Sequence, residues 1–147
     1  NCLAHLSPVL DTIKYVVNET DCWVELTTML IEGENDAEDE IKAECGWILE
    51  NLGDSVPLHF SAFFPRYNFA DRKSTDFTTL LNAYKIAQEM GLKYVYTGNL
   101  ANIQASTTYC KNCHSPLIVR NGYELVGYQI DSEGRCLHCG TKCDGIF

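Results

Sequence analysis

Two C-x2-C pairs, Cys110-Lys111-Asn112-Cys113 and Cys136-Leu137-His138-Cys139, constrain this chain more than any other feature of its sequence. A two-residue spacer turns the backbone so that both sulfurs of a pair reach one ion. Two pairs supply four thiolates, which close a tetrahedron about 2.3 Å from the metal. Between the pairs, Leu117-Ile118-Val119 and the run from Tyr123 to Ile130 are strand-like, and Asn121-Gly122 breaks them with a hairpin signal. Residues 105–147 therefore read as a zinc ribbon, with Cys110, Cys113, Cys136 and Cys139 as metal ligands and His114 and His138 facing solvent beside them. Iron in a rubredoxin-like centre suits the same sulfurs, and either pair alone is also the pattern of a redox dithiol. Cys143 is a fifth thiol, either a spare or a substitute for Cys139. With four protein ligands the ion has no open position, so its role is structural.

Residues 1–104 have a different pattern. Ser7-Pro8 is expected to open a helix, with Val9, Leu10, Ile13, Val16 and Val17 on one face. Cys22 to Ile31 is apolar and β-branched with one charge, the pattern of a strand buried on both faces. Asp36 is the expected cap of a second helix carrying Ile41, Cys45, Ile48, Leu49 and Leu52, which Gly53 stops. Pro57 to Pro65 reads as a second buried strand. Thr75 is expected to cap a third helix (Phe77, Leu80, Leu81, Tyr84, Ala87) ending at Gly91, and Lys93 to Thr97 as a third strand. Strands alternating with helices imply right-handed crossovers and a parallel sheet, so the fold class is α/β up to a linker near residues 99–108. Three parallel strands leave edges exposed, which the rest of a longer protein or a second copy is expected to cover.

Charge and cysteine usage exclude several functions. The net charge is −9. Residues 1–104 hold 7 Lys+Arg against 16 Asp+Glu, and residues 105–147 hold 4 of each, so neither part offers the basic stripe of a nucleic-acid binder. No stretch has the length and apolarity of a membrane span. Cys2, Cys22 and Cys45 are scattered through helix and strand patterns and are expected to be mostly small core residues in a reducing cytoplasm. The opening Asn1-Cys2-Leu3 is expected to belong to a piece of a longer protein. At the strand ends, Gly33 with Asn35-Asp36 is either a ligand-binding turn or a turn with a helix cap, and His59 is either a core histidine or a site residue. No nucleophile elbow or phosphate-loop pattern is present.

The stretch Asp21 to Asp36 resembles the late barrel strand and following "PGxND" loop of radical S-adenosylmethionine (SAM) enzymes related to pyruvate formate-lyase activating enzyme. Pro57 to Tyr67, Gly91 to Asn99 and the four-cysteine ribbon resemble, in order, the AmmeMemoRadiSam system radical SAM enzyme. Glu32 stands where that loop usually has proline. The resemblance implies the C-terminal portion of a partial (β/α)6 TIM-like barrel over residues 1–104. It implies that Thr27, Thr28, Gly33, His59 and Ser61 line a cavity for SAM and substrate. It further implies an enzyme that cleaves SAM reductively to a 5′-deoxyadenosyl radical for hydrogen abstraction, using a [4Fe–4S] cluster on a C-x3-C-x2-C loop that this sequence lacks. The chain alone is then expected to be inactive, with the missing barrel half as partner and Memo-like and AMMECR1-like proteins as associated partners. A free-standing zinc-ribbon adaptor for protein interaction is the other expectation.

Overall fold

The computed structural model describes residues 4–147, so the expected core position of Cys2 lies outside the described residues. Helix α1 spans Leu6–Glu19 and begins before the expected cap, with His5 as its flanking residue. Ser7 lies inside the first turn, its hydroxyl directed at Asp11 rather than at a backbone N–H. Pro8 is tolerated there because first-turn N–H groups have no intrahelical partner. No side chain of α1 is fully buried. The helix is tied on by Lys14 and Asn18, which donate to the Asn51 side chain and carbonyl at 3.0 Å each.

Strands β1 (Leu26–Leu30), β2 (Leu58–Ala62) and β3 (Val95–Gly98) form a parallel sheet in that order. They alternate with α2 (Glu38–Asn51) and α3 (Phe77–Met90). In register, Thr27 lies beside His59 and His59 beside Tyr96, while Leu26, Leu58 and Val95 form the neighbouring row. Successive strand residues point to opposite faces, so each row belongs to one side. One side packs Leu30, Leu58, Phe60, Ala62 and Val95 against Ile41, Cys45 and Ile48 of α2 and Leu80, Ala83, Ile86 and Ala87 of α3. Full burial of Phe60 alone contributes about 2–3 kcal/mol. Among the described residues no α-helix packs on the other side, and this corrects the expectation for the first strand. β1 is an edge strand whose burial alternates, with Met29 48 % exposed.

Two expected helix caps have other partners. Ala37 flanks α2 without a side-chain cap, and the Asp36 carboxylate instead accepts the Gly33 N–H at 2.8 Å. Three first-turn acids, Glu38, Asp39 and Glu40, supply the negative charge the helix N-terminus favours. Asp76, not Thr75, flanks α3. Thr75 is buried, and its hydroxyl donates to the Leu30 carbonyl at 2.6 Å while accepting the Phe63 N–H at 2.8 Å. One hydroxyl thereby closes the C-terminal ends of two strands. Asn99, in a left-handed conformation (φ 51°), continues β3 with its side chain: the amide accepts the Ala62 N–H at 2.7 Å and donates to the Ala62 carbonyl at 2.8 Å.

A second sheet, antiparallel, contains β4 (Thr108–Tyr109), β5 (Pro116–Asn121) and β6 (Glu124–Tyr128). Asn121 pairs with Glu124, which makes Gly122 and Tyr123 the central turn residues, one position later than the Asn121-Gly122 signal suggests. Gly122 alone of the two has positive φ (60°), the requirement of a type II′ turn. This C-terminal module packs on the helix-free side of β3, where Tyr94 and Tyr96 join Cys110, Leu117, Ile130, Cys136 and Cys143 in one buried cluster. Among the described residues no helix is long and apolar enough to cross a membrane.

Thr75→Val is expected to strand the Phe63 N–H and the Leu30 carbonyl without changing packing volume. It should lower stability by about 1–3 kcal/mol, read as a lower urea midpoint at unchanged slope.

Candidate metal centre and the open face of the sheet

The sulfurs of Cys110, Cys113, Cys136 and Cys139 all lie within 4.8 Å of one another. Cys110 and Cys139 are 3.6 Å apart, and Cys113 and Cys136 3.8 Å. A tetrahedron with arms of about 2.3 Å has edges of about 3.8 Å, so the four sulfurs fit one thiolate-bound ion such as zinc. The two knuckles share one backbone design. The N–H of the first cysteine reaches the carbonyl five residues on (Ser115, Thr141) at 2.9 Å in both. The residue after the second cysteine (His114, Gly140) donates back to the first cysteine's carbonyl at 2.9 and 2.8 Å. Those two residues are left-handed, with φ 56° and 73°, so the structure imposes on His114 what glycine adopts freely.

The hydroxyls repeat as well. Ser115 Oγ lies 3.4 Å from Cys113 Sγ, and Thr141 Oγ1 lies 3.3 Å from Cys139 Sγ. Together with the backbone N–H of the same residue, Thr141 holds the Cys139 thiol down at about 5, and Ser115 lowers that of Cys113. Both effects favour the thiolate that a metal requires. His114 and His138 are exposed and stand outside the cluster. Cys143 also stands outside it, buried with its sulfur 3.9 Å from the Tyr94 hydroxyl. Of the upstream cysteines, Cys45 is buried as expected, whereas Cys22 is exposed.

The five residues that the sequence resemblance assigns to a cavity are only partly brought together. Thr27, His59 and Ser61 belong to the helix-free side of the sheet. Thr28, one residue along β1, lies on the helix side and hydrogen-bonds Glu44 of α2. Burial raises the Glu44 carboxyl, against the opposing effect of that bond. The separation follows from strand periodicity, which places no two consecutive side chains on one face. Gly33 is in the exposed turn after β1, at φ 75°.

Around His59 the structure adds partners that residue type alone did not mark. Glu25 Oε2 lies 2.8 Å from His59 Nε2, and Trp23 Nε1 donates to Glu25 Oε1 at 2.9 Å. The His59 ring stacks on Tyr96 at 4.9 Å between centroids, and the Arg120 guanidinium carbon sits 5.9 Å from the Tyr96 centroid. Tyr96 Oη and Thr108 Oγ1 are 2.9 Å apart. The available signal was the i, i+2 spacing of Trp23, Glu25 and Thr27, which puts them on one face of an extended segment. Nothing local marks Tyr96 or Arg120, because their meeting requires the hairpin to fold onto β3. Two cavities of about 500 and 310 Å³ open along this seam and share His59, Tyr96 and Arg120.

The chain is similar to an uncharacterized protein of Methanocaldococcus jannaschii, with 39 % identity over 147 residues that cover 99 % of this chain. It spans 44 % of that relative's length. No protein-family model matches the chain, and no solved structure matches it.

Metal analysis of the purified protein is expected to give about one zinc per chain, and chelation should unfold the C-terminal module. An intact fold with four free thiols and no metal would refute the site. A second expectation concerns acid. Burial opposes ionisation of Glu25, but the hydrogen bonds from Trp23 and His59 outweigh it and lower the carboxyl from its ordinary 4.5. A lowered folded-state value means that the stabilisation is fully present above the ordinary glutamate range and is lost as pH falls through the folded value. The fluorescence of Trp23, read in a Trp47→Phe background because the chain has two tryptophans, should therefore change with a midpoint below 4.5. Glu25→Gln should erase that transition.

Proposed function

We propose that this chain is the C-terminal part of a radical SAM enzyme, in which three strands contribute to the wall of a partial (β/α)6 barrel and a zinc ribbon closes one side. The observation that carries the reading is the face of the parallel sheet opposite α2 and α3, where Glu25, Thr27, His59 and Ser61 stand beside Met29 and the C-terminal module covers only the β3 side through Tyr94 and Tyr96. A parallel sheet ordinarily covers both faces unless one of them lines a barrel interior or a ligand site.

On this reading Thr27, His59 and Ser61 face the SAM and substrate cavity, Gly33 borders it, and Thr28 supports α2 from behind. The residues present do not fit an iron–sulfur cluster. The sequence has no C-x3-C-x2-C run, Cys22 and Cys45 are far apart in the chain, and the clustered thiols are in the ribbon. The cluster would therefore be held by a preceding barrel half, which also pairs with the free edge of β1. A second reading, a zinc-ribbon adaptor, draws support from the exposed Tyr123, Leu125, Val126 and Tyr128 on the hairpin.

The test is anaerobic reconstitution of the full-length protein with iron and sulfide, followed by SAM and a strong reductant. Formation of 5′-deoxyadenosine is expected. A full-length protein that has no upstream C-x3-C-x2-C and releases no 5′-deoxyadenosine would leave the adaptor reading in its place.

A further inference from the structure

The larger of the two seam cavities, about 500 Å³, lies between the open sheet face and the hairpin, with His59, Tyr96, Asn99, Ser106, Arg120 and Tyr123 among its walls. No acidic residue lines it, although the chain carries 20 Asp+Glu and a net charge of −9. Arg120, on β5, is the cation in that lining. Its Nη1 is anchored, donating to the Ser106 carbonyl at 3.2 Å and to Thr108 Oγ1 at 3.3 Å. Its Nη2 and Nε donate to no protein group, and no carboxylate pairs with it, among the described residues.

Glu25, the acid near it, has both oxygens engaged by Trp23 and His59, and it borders the smaller cavity rather than the larger. A half-buried guanidinium fixed at one nitrogen and over an aromatic face retains the two-donor fork that planar oxyanions fit. The anchoring also means that little side-chain freedom remains to be lost on binding.

We propose that Arg120 binds an anionic group, a carboxylate or a phosphate, of the substrate, so that the ribbon supplies part of the substrate site and is more than a cap. The seam cavity shares His59 with the face described under Proposed function, and assigning its ligand to the substrate rests on that reading. The Asn99 amide is held in place by Ala62 at both ends and keeps one N–H free among the described residues, so it can add a neutral donor beside Arg120. The site therefore depends on the hairpin being held against β3, and so on the metal-bound knuckles that fix it there.

The experiment follows the arginine Nε–H resonances of the zinc-loaded 147-residue chain, which has four arginines. The probes are inorganic phosphate, malonate, and neutral malonamide, at constant ionic strength. A saturable shift confined to Arg120 with at least one anion, and none with malonamide, is expected. Which anion acts separates phosphate from carboxylate. Arg120→Gln, checked for zinc content and unchanged circular dichroism, should weaken that binding about tenfold or more, and Arg120→Lys by less. The idea is overturned if Arg120 does not respond, if all four arginines shift alike, or if Arg120→Gln binds as the parent does. In each of those cases, 5′-deoxyadenosine formation by the full-length protein would leave the radical SAM reading standing.

Discussion

A three-stranded parallel sheet has two faces to satisfy, and here helices cover only one. α2 and α3 bury the row that runs through Leu58 and Phe60, and the opposite row is left with Thr27, His59 and Tyr96. That asymmetry fixes what else the molecule can be. The C-terminal module buries few large apolar side chains of its own, chiefly Leu117 and Ile130, and its buried cluster is completed by Tyr94 and Tyr96 of the neighbouring sheet. Small domains generally need a staple where a core falls short. Here a metal held by the four sulfurs would tie the knuckles together, and two tyrosines of the neighbouring sheet finish the packing.

The attachment is polar as well as apolar. Lys111, between the first two cysteines of the cluster, contacts both Asp144 oxygens at 2.8 Å, and Asp144 accepts the Tyr94 hydroxyl at 3.0 Å. Burial pushes the Tyr94 phenol far up, so it remains a donor throughout the physiological range. Burial also opposes ionisation of Asp144, but Lys111 and Tyr94 together hold it below its usual value. A continuous path therefore runs from the sulfur cluster through Lys111 and Asp144 to the strand that carries Tyr96. An ion bound by the four sulfurs would hold the first knuckle and with it this path, and so would support the sheet face as well as the module.

The legible parts of the sequence were those with local causes. The C-x2-C pairs needed only their spacing, and Gly53 and Gly91 stop helices with φ of 86° and 108° because a left-handed residue is cheap there. The misread parts are those in which one side chain has rival uses. Asp36 and Thr75 have the chemistry of caps, yet Asp36 takes a backbone partner in its own turn and Thr75 takes partners from the ends of two strands. Cys22 to Ile31 is apolar enough for a central strand, but β1 lies at the edge, and position in a sheet is set by topology rather than composition. Thr27 and Thr28 are chemically alike, and only the register shows which of them faces the open side.

The same limit explains why the seam was invisible beforehand. Arg120 is one charge in a balanced ribbon, Tyr96 reads as an ordinary strand residue, and His59 within an apolar run reads first as a core histidine and only then as a site residue. Their significance comes from a contact between segments more than twenty residues apart in sequence, which no periodicity encodes. Once made, that contact divides labour in a defined way. The sheet contributes hydrogen-bonding groups whose positions are fixed by the parallel ladder, and the hairpin contributes the guanidinium. In a chain of net −9, a guanidinium at a cavity wall with no salt-bridge partner among the described residues counts for more than it would on a basic protein, because the surrounding field otherwise disfavours an anion there. Arg120 therefore sets the sign of the group this cavity accepts, and the fold of the ribbon sets where that group lies relative to His59.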